Sequence, residues 1–195
     1  MDSIKVTDLF RYPLGIVNLK QNTKELIKFT KEVKRNETIV LKTNKGGFQS
    51  PSNLAKYNKP VFNNLYSTIF KLAGKFSSIY NLRKPIKYSN AWININPPYS
   101  FNNPHTHPGS AISAVYYIKV PKNSGNIVFK RPEKFVGYLD ENSFHTYNSF
   151  NAYAQNFIPK ENQLFLFPSW MEHEVGQNLS KQDRISLAIN FECTQ

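Results

Sequence analysis

Apolar positions recur at helical spacing in the first part of the chain and at strand spacing in the rest, with the change near residue 85. In residues 22–35, NTKELIKFTKEVKR, Leu26, Phe29 and Val33 make one apolar stripe that Ile27 widens. Asn22 is placed to cap this helix, and Glu25 at the third helical position completes a capping-box pattern. In residues 60–82, Phe62, Leu65, Ile69, Leu72, Phe76 and Ile79 alternate steps of three and four, which predicts a longer helix with one buried face. Pro60 suits its first position. Gly74 either weakens this helix or lets a neighbour approach closely. Between the two helices, ETIVLKT (37–43) predicts a short strand, and NKGGFQSPSN a run of turns.

From residue 86 onward the segments IKYSNAWININ, AISAVYYIKV, GNIVFKR, QLFLFP and DRISLAINFE are rich in β-branched and aromatic residues. Pro, Gly, Asn and Ser separate them. Short strands at turn-separated intervals predict an antiparallel sandwich or jelly roll. The expected fold is mainly β (α+β), with two N-terminal helices packed on its outside. The length of 195 residues suits one domain, with a helical part at about 1–85 and a β core at about 86–193. No internal repeat, low-complexity tract or linker interrupts it.

Composition narrows the class. Apolar content of 40%, with 15 Phe and 11 Tyr, is that of a folded chain. A single cysteine, Cys193, excludes an internal disulfide and a cysteine-based metal site, and nothing beside it marks it as activated. The N-terminus MDSIKVTDLFRYPLGIV lacks a basic stretch followed by a long apolar one, so a cytoplasmic protein is expected. The longest apolar runs are strand-sized, and no membrane partner is expected. The net charge of +12 raises nucleic acid as a partner, but the lysines look scattered along the sequence, which weighs against it.

Candidate chemistry lies in NNPHTHPGSAISAVYYI, residues 102–118. His105 and His107 are two of only four histidines, one residue apart, just ahead of a strand. On an extended segment both imidazoles point to one face. His173 follows the strand QLFLFP, and a jelly roll can bring it beside the pair. Three imidazoles on one face make an open metal site suited to Fe(II), Zn, Ni or Cu. Arg184 and Ser186 share a face of the last strand, and a guanidinium with a hydroxyl is a clamp for a carboxylate. His145 falls in a polar stretch that is expected to be a loop.

The blocks GGFQS, HTHPGSAISAVYYIKVP with SGNIVFKRP, FLFPSWMEHEV and RISLAINF, in this order over residues 45–193, resemble the double-stranded β-helix core of the Fe(II)/2-oxoglutarate-dependent oxygenases. The resemblance is to a branch found in marine bacteria and their phages, distantly like prolyl 4-hydroxylases. It implies Fe(II) and 2-oxoglutarate as cofactors, O2 as cosubstrate, and hydroxylation of a C–H bond in a protein residue, an amino acid or a small metabolite. A phage-encoded protein of this kind would act in the host cytoplasm. His105 matches the first iron ligand and His173 the distal one. Arg184 and Ser186 match the Arg-x-Ser pair that holds the far carboxylate of 2-oxoglutarate, with Tyr117 or Asn94 as further polar contacts. Trp92 and Trp170 are expected to line or cap the pocket.

One position departs from that pattern. The usual motif is His-x-Asp or His-x-Glu, and here His107 stands where the carboxylate belongs. A three-histidine site is the favoured expectation. In the alternatives His107 sits behind the ligands, or Glu172, Glu174 or Asp140 reaches in. Two other functions compete. Cupin-like metal proteins also use His-x-His and a distal histidine, but add a glutamate shortly after the pair, where this chain has PGSAIS. A non-catalytic basic binding protein would keep the fold and use its charge.

Overall fold

Alternation along two long strands decides the architecture. The computed structural model describes residues 4–7, 9–133 and 143–194. Strands β4 (Ile86–Asn96) and β11 (Arg184–Cys193) pair antiparallel, with Arg184 opposite Asn96 and Cys193 opposite Ile86. Ile93, Ile95, Ile185, Leu187 and Ile189 point to one face, where the helices pack. Trp92, Asn94, Arg184, Ser186 and Ala188 point to the other, where they line a cavity.

These two strands are central in a six-stranded sheet of order β1-β9-β6-β11-β4-β3. Its other members are β1 (Gly15–Asn18), β3 (Phe48–Gln49), β6 (Ile112–Lys119) and β9 (Gln163–Pro168). A second sheet has the order β2-β5-β10-β7-β8. It comprises β2 (Asn44–Lys45), β5 (Phe101–His105), β7 (Ile127–Lys130), β8 (Ala154–Phe157) and β10 (His173–Val175). All these pairings are antiparallel. The two sheets make the expected jelly roll.

Helices α1 (Thr23–Asn36) and α2 (Pro60–Ser77) cover the outer face of the larger sheet. Leu26, Phe29 and Val33 of α1 and Phe62, Leu65 and Ile69 of α2 are buried there. Each such side chain contributes about 1.5–3 kcal/mol on burial. The Asn22 side chain accepts the Glu25 N–H at 3.3 Å and caps α1. No helix among the described residues is long and apolar enough to cross a membrane.

Two local expectations are corrected, and one alternative is settled. Helix α2 stops at Ser77, and a 3-10 turn over Ser78–Tyr80 ends at Asn81 with φ of 48°. Ile79 is therefore 62% exposed, and Ala73 takes a buried place in the stripe. Gly74 has open space where a side chain would begin, so no close neighbour requires it. Residues 37–43 form no strand; Val40 donates one backbone bond to Gln49 at 2.9 Å, and Leu41 is 82% exposed. Strand β3 is two residues long, too short to offer them a ladder.

Candidate functional site

The three histidines meet because two of them face each other across a ladder. His105 ends β5, His173 opens β10, and they are register partners. His107 lies two residues beyond β5, and its backbone N–H donates to Ser169 O at 2.9 Å, which ties its loop to the turn before β10. Ring centroids are 4.3 Å apart for His105 and His173, 4.9 Å for His105 and His107, and 5.1 Å for His107 and His173. One ligand atom from each lies within 4.8 Å of the others. Trp92 packs against His107 at 5.4 Å and Phe167 against His173 at 4.6 Å.

The tautomers suit metal binding. Nδ1–H of His105 donates to Asn103 O at 2.7 Å, and Nδ1–H of His173 donates to Met171 O at 3.0 Å. A carbonyl only accepts, so both rings keep Nε2 as the lone-pair atom. Burial holds all three rings neutral, the form that ligates. It lowers His105, takes His107 down to about 3 with help from His105 and Lys42, and takes His173 well below its ordinary range.

A second cluster lies beside the first, on the inner face of the larger sheet. Tyr117 of β6, Ser186 of β11 and Asn94 of β4 form one row across three strands. Arg184 begins the next row and is 1% exposed. Its Nη1 donates to the carbonyls of Ser124 and Gly176, the latter at 3.1 Å, and its Nη2 faces Asn102 Oδ1 at 3.5 Å. Among the described residues no carboxylate lies within ion-pair distance of it. The Tyr117 hydroxyl, Ser124 Oγ and Asn96 Oδ1 are buried without a hydrogen-bond partner. Burial pushes Tyr117 up to about 12, against the pull of Arg184. A buried guanidinium without a counter-charge costs several kcal/mol, which a bound carboxylate offsets.

Asparagines hold this cluster in place. Asn44 Nδ2 donates to Asn94 Oδ1 at 3.2 Å, and Asn96 Nδ2 donates to Asn44 Oδ1 at 3.0 Å and to Asn102 Oδ1 at 3.2 Å. The chain of amides runs from the Tyr117 row to Arg184. Asn44, Asn96 and Asn102 escape motif reasoning. Only Asn96 has a signal, the alternation of Asn with Ile in AWININ, which puts polar groups on the inner face of β4.

The remaining expected residues separate cleanly. Trp92 lines the histidine cavity, whereas Trp170 is 48% exposed and meets Tyr12 edge-on at 5.7 Å. Glu172 and Glu174 turn to Lys130, at 3.6 and 2.9 Å, and do not join the histidines. Asp140 lies outside the described residues. His145 is exposed in a bend, and Cys193 is exposed at the end of β11. The cavity among the histidines, Asn94, Arg184 and Ser186 is narrow, about 30 Å³. A larger one of about 570 Å³ opens beside it, walled by Phe10, Tyr12, Phe129, Tyr153, Phe157 and Met171. Phe129 links the two, with its ring 6.0 Å from that of His173.

The donor sets fit the cofactors that the resemblance implies. Three neutral imidazoles suit Fe(II), and an unpaired buried guanidinium with free hydroxyls suits a dicarboxylate.

Comparison with known proteins gives the same answer. A family model described as "Putative 2OG-Fe(II) oxygenase" matches residues 90–190, from β4 to β11. No curated protein matches the sequence. Among solved structures, the chain is similar to SnoN, a non-heme alpha ketoglutarate dependent epimerase from nogalamycin biosynthesis. That likeness has a TM-score of 0.67 at 16% identity, over 94% of this chain and 79% of the other. A Pseudomonas putida prolyl-4-hydroxylase aligns with a TM-score of 0.65 at 13% identity, over 94% of each chain. HygX from Streptomyces hygroscopicus, solved with nickel and 2-oxoglutarate bound, aligns with a TM-score of 0.61 at 11% identity, over 94% of this chain and 84% of the other. These structures share the fold. The family model spans just over half of the sequence and both ends of the site, and the chain belongs to the 2OG-Fe(II) oxygenase family, the Fe(II)- and 2-oxoglutarate-dependent oxygenases.

Proposed function

We propose that the chain, as one domain, hydroxylates a C–H bond of its substrate, with His105, His107 and His173 holding Fe(II) and Arg184, Ser186, Tyr117 and Asn94 holding 2-oxoglutarate. The observation that carries this reading is a buried, unpaired Arg184 on the same inner surface as three neutral imidazoles. Bound there, iron and 2-oxoglutarate supply the oxidising chemistry that couples decarboxylation of the cosubstrate to oxidation of a C–H bond.

The protein's own part is to bind, orient and exclude water. The Nδ1–H bonds of His105 and His173 fix the ring planes, so metal affinity is built into the backbone of β5 and the turn before β10. Arg184 offers charge and Tyr117 a hydroxyl to the far carboxylate, and the amide chain through Asn102 orients the guanidinium. The cavity of about 30 Å³ is smaller than a dicarboxylate, so cosubstrate binding widens it. The substrate approaches through the cavity of about 570 Å³, whose wall residue Phe129 packs on His173. With His107 in place of a carboxylate, the ligand set carries no negative charge. That favours a cosubstrate which brings its own.

Anaerobic titration of the Fe(II)-loaded protein with 2-oxoglutarate tests the assignment. The expected result is a weak visible charge-transfer band that needs at least about tenfold more 2-oxoglutarate in Arg184→Gln, with iron still bound. Iron bound without any band would sink the cosubstrate assignment. Unchanged iron binding in His107→Ala would remove His107 from the ligand set.

A further inference from the structure

Charge is divided unevenly between the layers of the molecule. Residues 20–84, which carry both helices and the turns between them, contain fourteen basic and three acidic residues, a net of +11. Residues 85–195 contain nine basic and eight acidic residues, a net of +1, and residues 1–19 contain two of each. Nearly all of the +12 therefore belongs to the helical layer. General use of lysine would have spread it over both.

Within that layer the charge has a shape. Lys24, Lys28, Lys31 and Arg35 stand at steps of four, three and four along α1, so they form one ridge about 16 Å long. All four are exposed. They lie opposite Leu26, Phe29 and Val33, which face the core. Two of the three acidic residues in the layer are occupied elsewhere: Glu32 binds Lys59 at 2.9 Å, and Glu37 binds Lys56 at 2.5 Å. Among the described residues, no carboxylate pairs with the ridge. The larger sheet stands between this ridge and the histidines, so a partner on α1 leaves the catalytic cavity open.

We infer that α1 is a docking ridge for the phosphate backbone of nucleic acid. The partner must be a polyanion, because a line of four cations with no carboxylate paired to it is complementary to a line of anions. A membrane is disfavoured, because the apolar face of α1 is buried in the core and has nothing to insert. A protein partner is disfavoured by residue type. Twelve of the fourteen basic residues are lysines, which are depleted in protein interfaces and common on phosphate-binding surfaces. The ridge presents no planar base-reading group except Arg35, so it binds without sequence preference. This inference stands apart from the oxygenase reading, and either can fail without the other.

The test is fluorescence anisotropy with a labelled mixed-sequence duplex and a matching single strand, from about 50 to about 200 mM salt. The intact chain should bind at least one of them with a dissociation constant of about 10⁻⁴–10⁻⁶ M, weakening steeply with salt. The triple variant Lys24→Gln, Lys28→Gln, Lys31→Gln should bind at least about tenfold more weakly, with a log–log salt slope lower by about three. Glutamine has nearly the helix propensity of lysine, so the melting temperature should not move. A matched triple on the near-neutral half, Lys122→Gln, Lys160→Gln, Lys181→Gln, should bind like the intact chain. The inference is overturned by no binding to either strand form at low salt, or by equal losses in the two triples. Binding to phosphatidylserine vesicles but to neither nucleic acid would overturn it as well.

Discussion

The two faces of the larger sheet are built from the same strands and do opposite work. On β4 and β11 every second residue enters the helical layer, and these are Ile93, Ile95, Ile185, Leu187 and Ile189, all apolar. The residues between them enter the jelly roll, and they are Trp92, Asn94, Asn96, Arg184 and Ser186. The outer face is closed by apolar packing, with the Tyr80 and Tyr88 hydroxyls as unbonded atoms at its margin. The inner face is left unsatisfied, with an unpaired guanidinium and three orphaned polar atoms among buried groups. A stable fold would avoid that arrangement unless a ligand completes it. The contrast separates what folds this protein from what makes it an enzyme.

That separation can be broken from either side. His173→Ala removes one imidazole of the proposed metal triad and should weaken metal binding by at least about 100-fold. The metal-free chain should stay folded, with a melting temperature lowered by the cavity and the unpaired Met171 carbonyl that the missing ring leaves. Isothermal titration with Fe(II) under nitrogen, alongside thermal melting, measures both. Ile189→Ala truncates an outer side chain that is fully buried, and should cost about 2–5 kcal/mol of stability. Its metal affinity should be unchanged. If Ile189→Ala altered the metal site, or His173→Ala unfolded the chain, the two faces would not be independent.

The sequence reveals these faces to different degrees. The alternation in AWININ and RISLAINF is visible directly, and with it the two long strands and their two faces. His105, His107, His173 and Arg184 were legible because rare residue types stand at meaningful spacing. Strands β5, β8 and β10 were not legible as strands, because FNNPH, AQNF and HEV are short and mostly polar. They are held by ladder bonds to neighbours distant in sequence. The amide chain through Asn44, Asn96 and Asn102 was hidden for a related reason, since its bonds span six to fifty-two residues. The end of α2 is misjudged because Ile79 continues the apolar pattern two residues after the α-helix has given way to a 3-10 turn.

A smaller effect is expected where the inner face meets the turn after β6. Gly125 has φ of +94°, and a side chain there would collide with Gly176 O and come within 2.7 Å of Arg184 Nη1. Gly125→Ala therefore presses on the backbone just after β10 and on Arg184, the proposed cosubstrate anchor, without touching a histidine ring. The left-handed backbone alone should cost about 1–3 kcal/mol of stability, and the displaced Gly176 carbonyl adds to it. Affinity for 2-oxoglutarate in the Fe(II)-loaded protein should fall about tenfold, and Fe(II) affinity should not change. A loss of metal binding would show that anchor and metal centre are one mechanical unit and not two adjoining ones.

The smallest effect belongs to the polar fittings of the outer layer. Glu37 follows α1, accepts the Tyr57 hydroxyl at 2.7 Å and pairs with Lys56. Lys56 first and Tyr57 second hold its carboxyl below the usual value, against a weaker opposing pull from burial. A lowered folded-state value means that the charged form stabilises the fold above the unfolded value of about 4.5. The contribution is lost as the pH falls through the folded value. Glu37→Gln keeps an acceptor for Tyr57 and removes only the charge, so it should cost no more than about 1 kcal/mol at neutral pH. The gap between variant and wild type in thermal or urea melts should close in acid below the folded value, and shrink with added salt. A loss of several kcal/mol at neutral pH would mean that charge, and not apolar packing, fastens the helical layer to the sheet.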